Sequence, residues 1–169
     1  MKHRFLEMGI ARYRDELEPT PRERRGFTGA ARWMARAMGT TIDDRAARRA
    51  ARLLRYKYLA SLITAIAAGS LACRAHFVLG IVAFVLAFYA VEVQGVFMVP
   101  LVVRGALRPV ERSRSLVVAA GGTVSCVVRV LPIAAWMLFA GFGRGFVRAW
   151  CEGGLAVIAW FEAIESNRA

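Results

Sequence analysis

Formal charge is scarce in two long stretches of this sequence. From Ala75 to Val103 the only charged side chain is Glu92, and from Ser115 to Gly143 the only one is Arg129. Runs so poor in charge exclude ordinary solvated helices. Each is longer than the roughly 20 apolar residues that cross a bilayer. Lysine is nearly missing: Lys2 and Lys57 are the only two among 24 basic residues. The arginine excess reads as codon bias from a GC-rich genome, and nothing else in the chain looks like a phosphate-reading or nucleic-acid module. Cysteine is limited to Cys73, Cys126 and Cys151. An odd number without CxxC spacing excludes a disulfide framework and a zinc site, leaving three small apolar side chains. Histidine is limited to His3 and His76, too few for haem or a metal centre. GxSxG, HExxH, Walker and dinucleotide fingerprints are absent, so the expectation is a chain without catalytic residues or cofactor. No cleavable signal peptide is expected, because the first apolar run begins only at Tyr58. Glu7, Asp15, Glu16, Glu18 and Glu23 argue against a transit peptide.

What is present is apolar surface and arginine. The 169 residues are 57% hydrophobic and carry a formal charge of +12. That composition predicts an all-α, polytopic helical membrane protein with about three transmembrane helices and amphipathic helices at both ends. Residues 1–57 read as a basic, helical, cytoplasmic N-terminal region. In it Leu6, Ile10, Tyr13 and Leu17 form an amphipathic stripe that Pro19 and Pro21 end. Residues 27–38 read as a second amphipathic piece, either at the membrane surface or packed on the bundle. Thr41 and Asp44 suggest a capping box for a helix running from Ile42 into the membrane. Residues 58–143 read as the transmembrane bundle. The first span ends at Cys73, the second runs from about Ala75 to Val103, and the third from Ser115 to Ala140 with Pro132 inside it.

Residues 144–169 read as an amphipathic C-terminal helix. Arg144, Arg148, Glu152, Glu162 and Glu165 fall on one face, and Phe146, Trp150, Val157, Trp160 and Ile164 on the other. Its longest charge-free run is too short to span, so it is expected along the outer interface or against the bundle rather than as a fourth crossing. Trp33, Trp150 and Trp160 are expected as interface anchors. The basic tail and the loop 104–114 both suit the cytoplasmic side. This places the turn at 74–76 outside and the chain in the cytoplasmic membrane of a bacterium.

The strongest site candidate is an intramembrane ion pair of Glu92 with Arg129. Each is alone in its span, and their depths agree within about one helical turn. Small residues at Ser61, Ala65 and Gly69, at Ala83 and Ala87, and at Gly121 and Gly122 suggest helix-packing ridges. The basic segments favour contact with anionic lipids over nucleic acid, at about 1 kcal/mol per basic residue near the surface. Taken together, these features suggest a non-catalytic integral membrane protein serving as an accessory or scaffolding subunit beside other membrane proteins. The alternative is a small oligomeric transporter or channel-like protein using Glu92 and Arg129.

Overall fold

Asp43 sets where the longest helix begins. In the computed structural model, which describes residues 4–13 and 17–167, its carboxylate accepts a 2.6 Å hydrogen bond from the Ala46 amide. That bond satisfies one of the amides a helix start leaves open. The cap is therefore Asp43, not the Thr41–Asp44 box. Lys2, His3, Asp15, Glu16 and Ala169, which entered the sequence reading, lie outside the described residues.

The helices are α1 (Arg4–Arg12), α2 (Gly26–Ala37), α3 (Asp44–Cys73), α4 (Phe77–Glu92), α5 (Met98–Val103), α6 (Pro109–Ala119), α7 (Gly122–Phe139), α8 (Gly141–Arg144) and α9 (Phe146–Ser166). Among the described residues there is no strand, and the fold is all-α. Three helical segments are long and apolar enough to cross a membrane: Asp44–Cys73, Phe77–Val103 and Gly122–Arg144. The chain is a membrane protein on that ground.

α3 and α4 form a tight antiparallel hairpin. The turn at Arg74–His76 holds because His76 Nδ1 accepts the Val78 amide and caps α4. Ser61, Ala65 and Gly69 are the buried positions on the distal half of α3. A Cβ on Gly69 would stand 3.0 Å from Phe84 Cβ and 3.2 Å from the Gly80 carbonyl, so the two backbones touch there. Such contact distances require small residues. Ala83 and Ala87 on α4 are half-buried.

Gly121 and Gly122 serve differently from the expected ridge. Both have positive φ, +100° and +81°, and a Cβ on Gly122 would meet nothing within 4 Å. They bend the chain between α6 and α7, a conformation glycine adopts without strain. The third apolar segment therefore begins at Gly122, not Ser115. α7 continues through Pro132.

α9 is the most enclosed of the long helices. Phe5 of α1 stacks on Trp160 at 6.1 Å between ring centres. A Cβ on Gly9 of α1 would lie 2.6 Å from the Ala156 amide, a direct backbone contact. α2 packs on α9 through Trp33 and Ala37 against Cys151, Leu155 and Ile158. Ile133 and Met137 of α7 face Gly153. The charged face of α9 is matched within the chain. Glu162 pairs with Arg12 at 2.8 Å, and Glu165 pairs with Arg104 and with Arg112 at 3.6 Å. The C-terminal segment packs against the bundle, but it does not stay on the outer side as expected. Glu165 meets Arg104 and Arg112, so its course is the return pass that the short charge-free run argued against. Its C-terminal end returns to loop 104–114, so α9 runs back along α7 instead of lying on the opposite surface.

Candidate functional site

Lys57 is the last residue before the apolar run of α3, and Glu92 is the last residue of α4. The hairpin brings them together. Lys57 Nζ donates to Glu92 Oε1 at 2.5 Å, with only 7% and 11% of the two side chains exposed. The ammonium also lies 4.5 Å from the centre of the Tyr58 ring, a cation–π contact. Gly95 makes room for the lysine. A Cβ there would come within 2.7 Å of Lys57 Cδ. Glu92 Oε2 is buried and has no hydrogen-bond partner among the described residues.

Directly after Glu92 the α-helix tightens into a short 3₁₀ turn, Val93–Gly95. Such a break alters the regular i→i−4 bonding and leaves carbonyls to be satisfied otherwise. Ser113 of α6 does this by donating to the Gln94 carbonyl at 2.8 Å. The Gln94 side chain donates to Thr123 Oγ1 at 2.8 Å, tying the turn to the first residues of α7. Lys57, Glu92, Gln94, Ser113 and Thr123 form one polar layer at the base of the hairpin. It joins α3, the α4–α5 break, α6 and α7.

The expected Glu92–Arg129 pair is not formed. Arg129 is half-buried on α7, and its guanidinium carbon lies 5.9 Å from the Trp160 ring centre. No carboxylate pairs with Arg129 among the described residues. Glu92 instead takes the cation on the helix antiparallel to its own, because a three-residue turn leaves α3 and α4 no other register. The tryptophans also differ from expectation. Trp33 and Trp160 are fully buried, while Trp150 is 41% exposed. The Trp33 indole N–H donates to the Leu17 carbonyl at 2.6 Å, and Trp160 packs edge-on against Phe97 at 4.8 Å. Trp33 and Trp160 are core residues. The reason is that α9, the helix they pack on or belong to, is covered by α1, α2 and α7.

Chemically, the layer can neutralise two opposite charges at low exposure and hold one carboxylate oxygen free of donors. No group of three or more His, Cys, Asp or Glu side chains is arranged to hold a metal ion among the described residues. Cys126 and Cys151 are buried thiols, and Cys73 is exposed beside Gly80 at the hairpin tip. Burial pushes the Cys151 thiol up to about 12, so it stays protonated and unreactive at neutral pH. The chain matches no protein-family model, no curated protein and no solved structure.

Proposed function

We propose that the chain is a non-catalytic integral membrane protein that acts as an accessory or scaffolding subunit of a larger assembly in the membrane. The observation that carries this reading is the α3–α4 hairpin, which leaves its outer faces uncovered. Leu59, Leu62, Ile63 and Ile66 on α3, and Val78, Ile81, Val82 and Leu86 on α4, are all exposed. The base of the hairpin is fixed by the Lys57–Glu92 pair and its tip by the Gly69–Gly80 contact. A hairpin so braced offers a rigid apolar surface to neighbours. Exposed Ala60, Thr64 and Ala67 on α3 would let a partner helix approach closely, which branched lipid-facing residues would not. In this reading the basic N-terminal region lies on the cytoplasmic side of a bacterial membrane and meets anionic lipid.

The test is purification of the tagged full chain in mild detergent, followed by native electrophoresis and identification of its companions. A stable species well above the 18.6 kDa of one chain, containing other membrane proteins, is the expected result. A homogeneous monomer with no companion would refute it. A transporter-like role is favoured by one observation, the donor-free Glu92 Oε2 in a buried polar layer at the end of an apolar helix. It predicts ion or proton flux in liposomes that Glu92→Gln abolishes.

A further inference from the structure

A second charged cluster lies where the third apolar segment ends. Glu152 on α9 is fully buried. Its Oε2 accepts from Trp136 Nε1 at 2.7 Å, and its Oε1 accepts from Arg148 Nε at 3.1 Å. Arg144 brings a terminal nitrogen to 3.8 Å from the same Oε1. The Arg144 guanidinium packs on the Trp136 ring at 5.4 Å, and that of Arg148 on the Tyr13 ring at 5.0 Å. One buried carboxylate therefore aims two guanidiniums, and the cluster keeps a surplus positive charge. Both arginine side chains are half exposed, 49% and 50%; among the described residues Arg148 donates only the bond to Glu152, and Arg144 reaches the same carboxylate as an ion pair without a hydrogen bond.

The surroundings identify what those free N–H groups face. Arg144 closes the segment Gly122–Arg144, so the cluster stands at the edge of an apolar span. Phe139, Phe142, Phe146 and Trp150 around it are all exposed. Arginine beside exposed aromatic side chains is the composition of a membrane–water interface. We propose that Arg144 and Arg148, oriented by Glu152, form a binding site for the phosphate of an anionic phospholipid at this boundary. The forked guanidinium donors match phosphate oxygens. The surplus charge selects an anionic headgroup over a zwitterionic one. Free phosphate offers the same oxygens but nothing to cover the aromatic fringe.

The experiment is native mass spectrometry of the full chain in mild detergent, titrated with phosphatidylglycerol, phosphatidylcholine or inorganic phosphate. Phosphatidylglycerol should bind in preference to both. Arg144→Gln/Arg148→Gln should weaken it roughly thirtyfold, the loss expected for two interfacial arginines. That variant leaves the Glu152 carboxylate buried without a cation. Two further variants separate binding from folding. Arg144→Gln/Arg148→Gln/Glu152→Gln removes the buried charge as well and should show the same loss. Arg144→Lys/Arg148→Lys keeps both charges over Glu152 but not the forked donors, and should bind more weakly than wild type. Wild-type affinity in the lysine variant, or in the triple variant, would overturn the proposal. So would phosphatidylcholine or inorganic phosphate binding as tightly as phosphatidylglycerol.

Discussion

Removing one member of the Lys57–Glu92 pair should cost much more than removing both. At 2.5 Å, and with an effective dielectric constant of about 20, the two charges attract by roughly 7 kcal/mol. Against this stands the desolvation of two ions, several kcal/mol each. The pair is therefore close to neutral in net stability, and its importance lies in what a lone partner would suffer. Glu92→Gln leaves a buried ammonium beside Tyr58, and Lys57→Met leaves a buried carboxylate with neither oxygen paired. Each single change should cost about 3–5 kcal/mol, the usual penalty for breaking a buried pair. The double variant Lys57→Met/Glu92→Gln should lose no more than about 1 kcal/mol, since methionine fills the lysine channel beside Gly95.

Thermal unfolding in detergent reads these differences, with the fully buried Trp33 and Trp160 as fluorescent reporters. At about 2–4 °C per kcal/mol for a chain of this size, each single variant should lower Tm by about 6–20 °C. The double variant should recover most of that fall. The control is Arg129→Gln, whose loss should add to that of Glu92→Gln because the two side chains share no contact. Simple additivity of the Lys57 and Glu92 losses would refute the pairing. Strong coupling between Glu92 and Arg129 would refute the register of the hairpin.

Two further outcomes are expected. A reporter fused after Ala169 should score on the same side of the membrane as one inserted in loop 104–114, because Glu165 pairs with Arg104 and Arg112. Cysteine labelling at His76→Cys should report the other side, and a C-terminal reporter scoring with His76 would sink the placement of α9. Arg36 donates to both Glu23 oxygens, at 3.0 and 2.8 Å, and these bonds hold the Glu23 carboxyl below its usual 4.5. A depressed folded-state value means that this stabilisation is whole above about pH 4.5 and is lost as pH falls through the lower folded value. Glu23→Gln should therefore flatten the acid limb of Tm against pH, and an unchanged acid limb would dissociate Glu23 from it.

The apolar helices were legible because bilayer length and charge scarcity are one-dimensional properties. The partner of Glu92 was not, although the sequence carried a signal for it. Spans taken from charge-free runs exclude Lys57, which stands just outside the run that begins at Tyr58. Arg129, inside a run, drew the pairing instead. A tight turn centred between Arg74 and Ala75 changes that reading. Lys57 precedes Arg74 by 17 positions (74 − 57), and Glu92 follows Ala75 by 17 (92 − 75). Gly69 and Gly80 obey the same symmetry, at five positions each (74 − 69 and 80 − 75). In an antiparallel helical hairpin equal distance from the turn means equal depth, since each residue rises about 1.5 Å on either strand of the hairpin. The small-residue contact and the ion pair are thus two readings of one register.

α9 shows the opposite limit. One of its faces carries Arg148, Glu152, Glu162 and Glu165, and the other Phe146, Trp150 and Trp160. What the faces meet could not follow from their chemistry, because an apolar stripe suits a lipid interface and a protein core equally. Its small residues carried the missing information. A Cβ on Gly154 would stand 2.8 Å from the Trp33 ring, and one on Gly153 would enter Met137. The Ala156 backbone touches α1 at Gly9. A helix lying in lipid gains nothing from glycine and loses about 1 kcal/mol of helix propensity for each one relative to alanine. A helix with α1, α2 and α7 on three sides needs those positions bare. The adjacent Gly153 and Gly154 point in different directions on the helix, so their occurrence together marks a helix enclosed on more than one side. That is why Trp160 is buried while Trp150, one turn ahead of Gly153, remains at the surface.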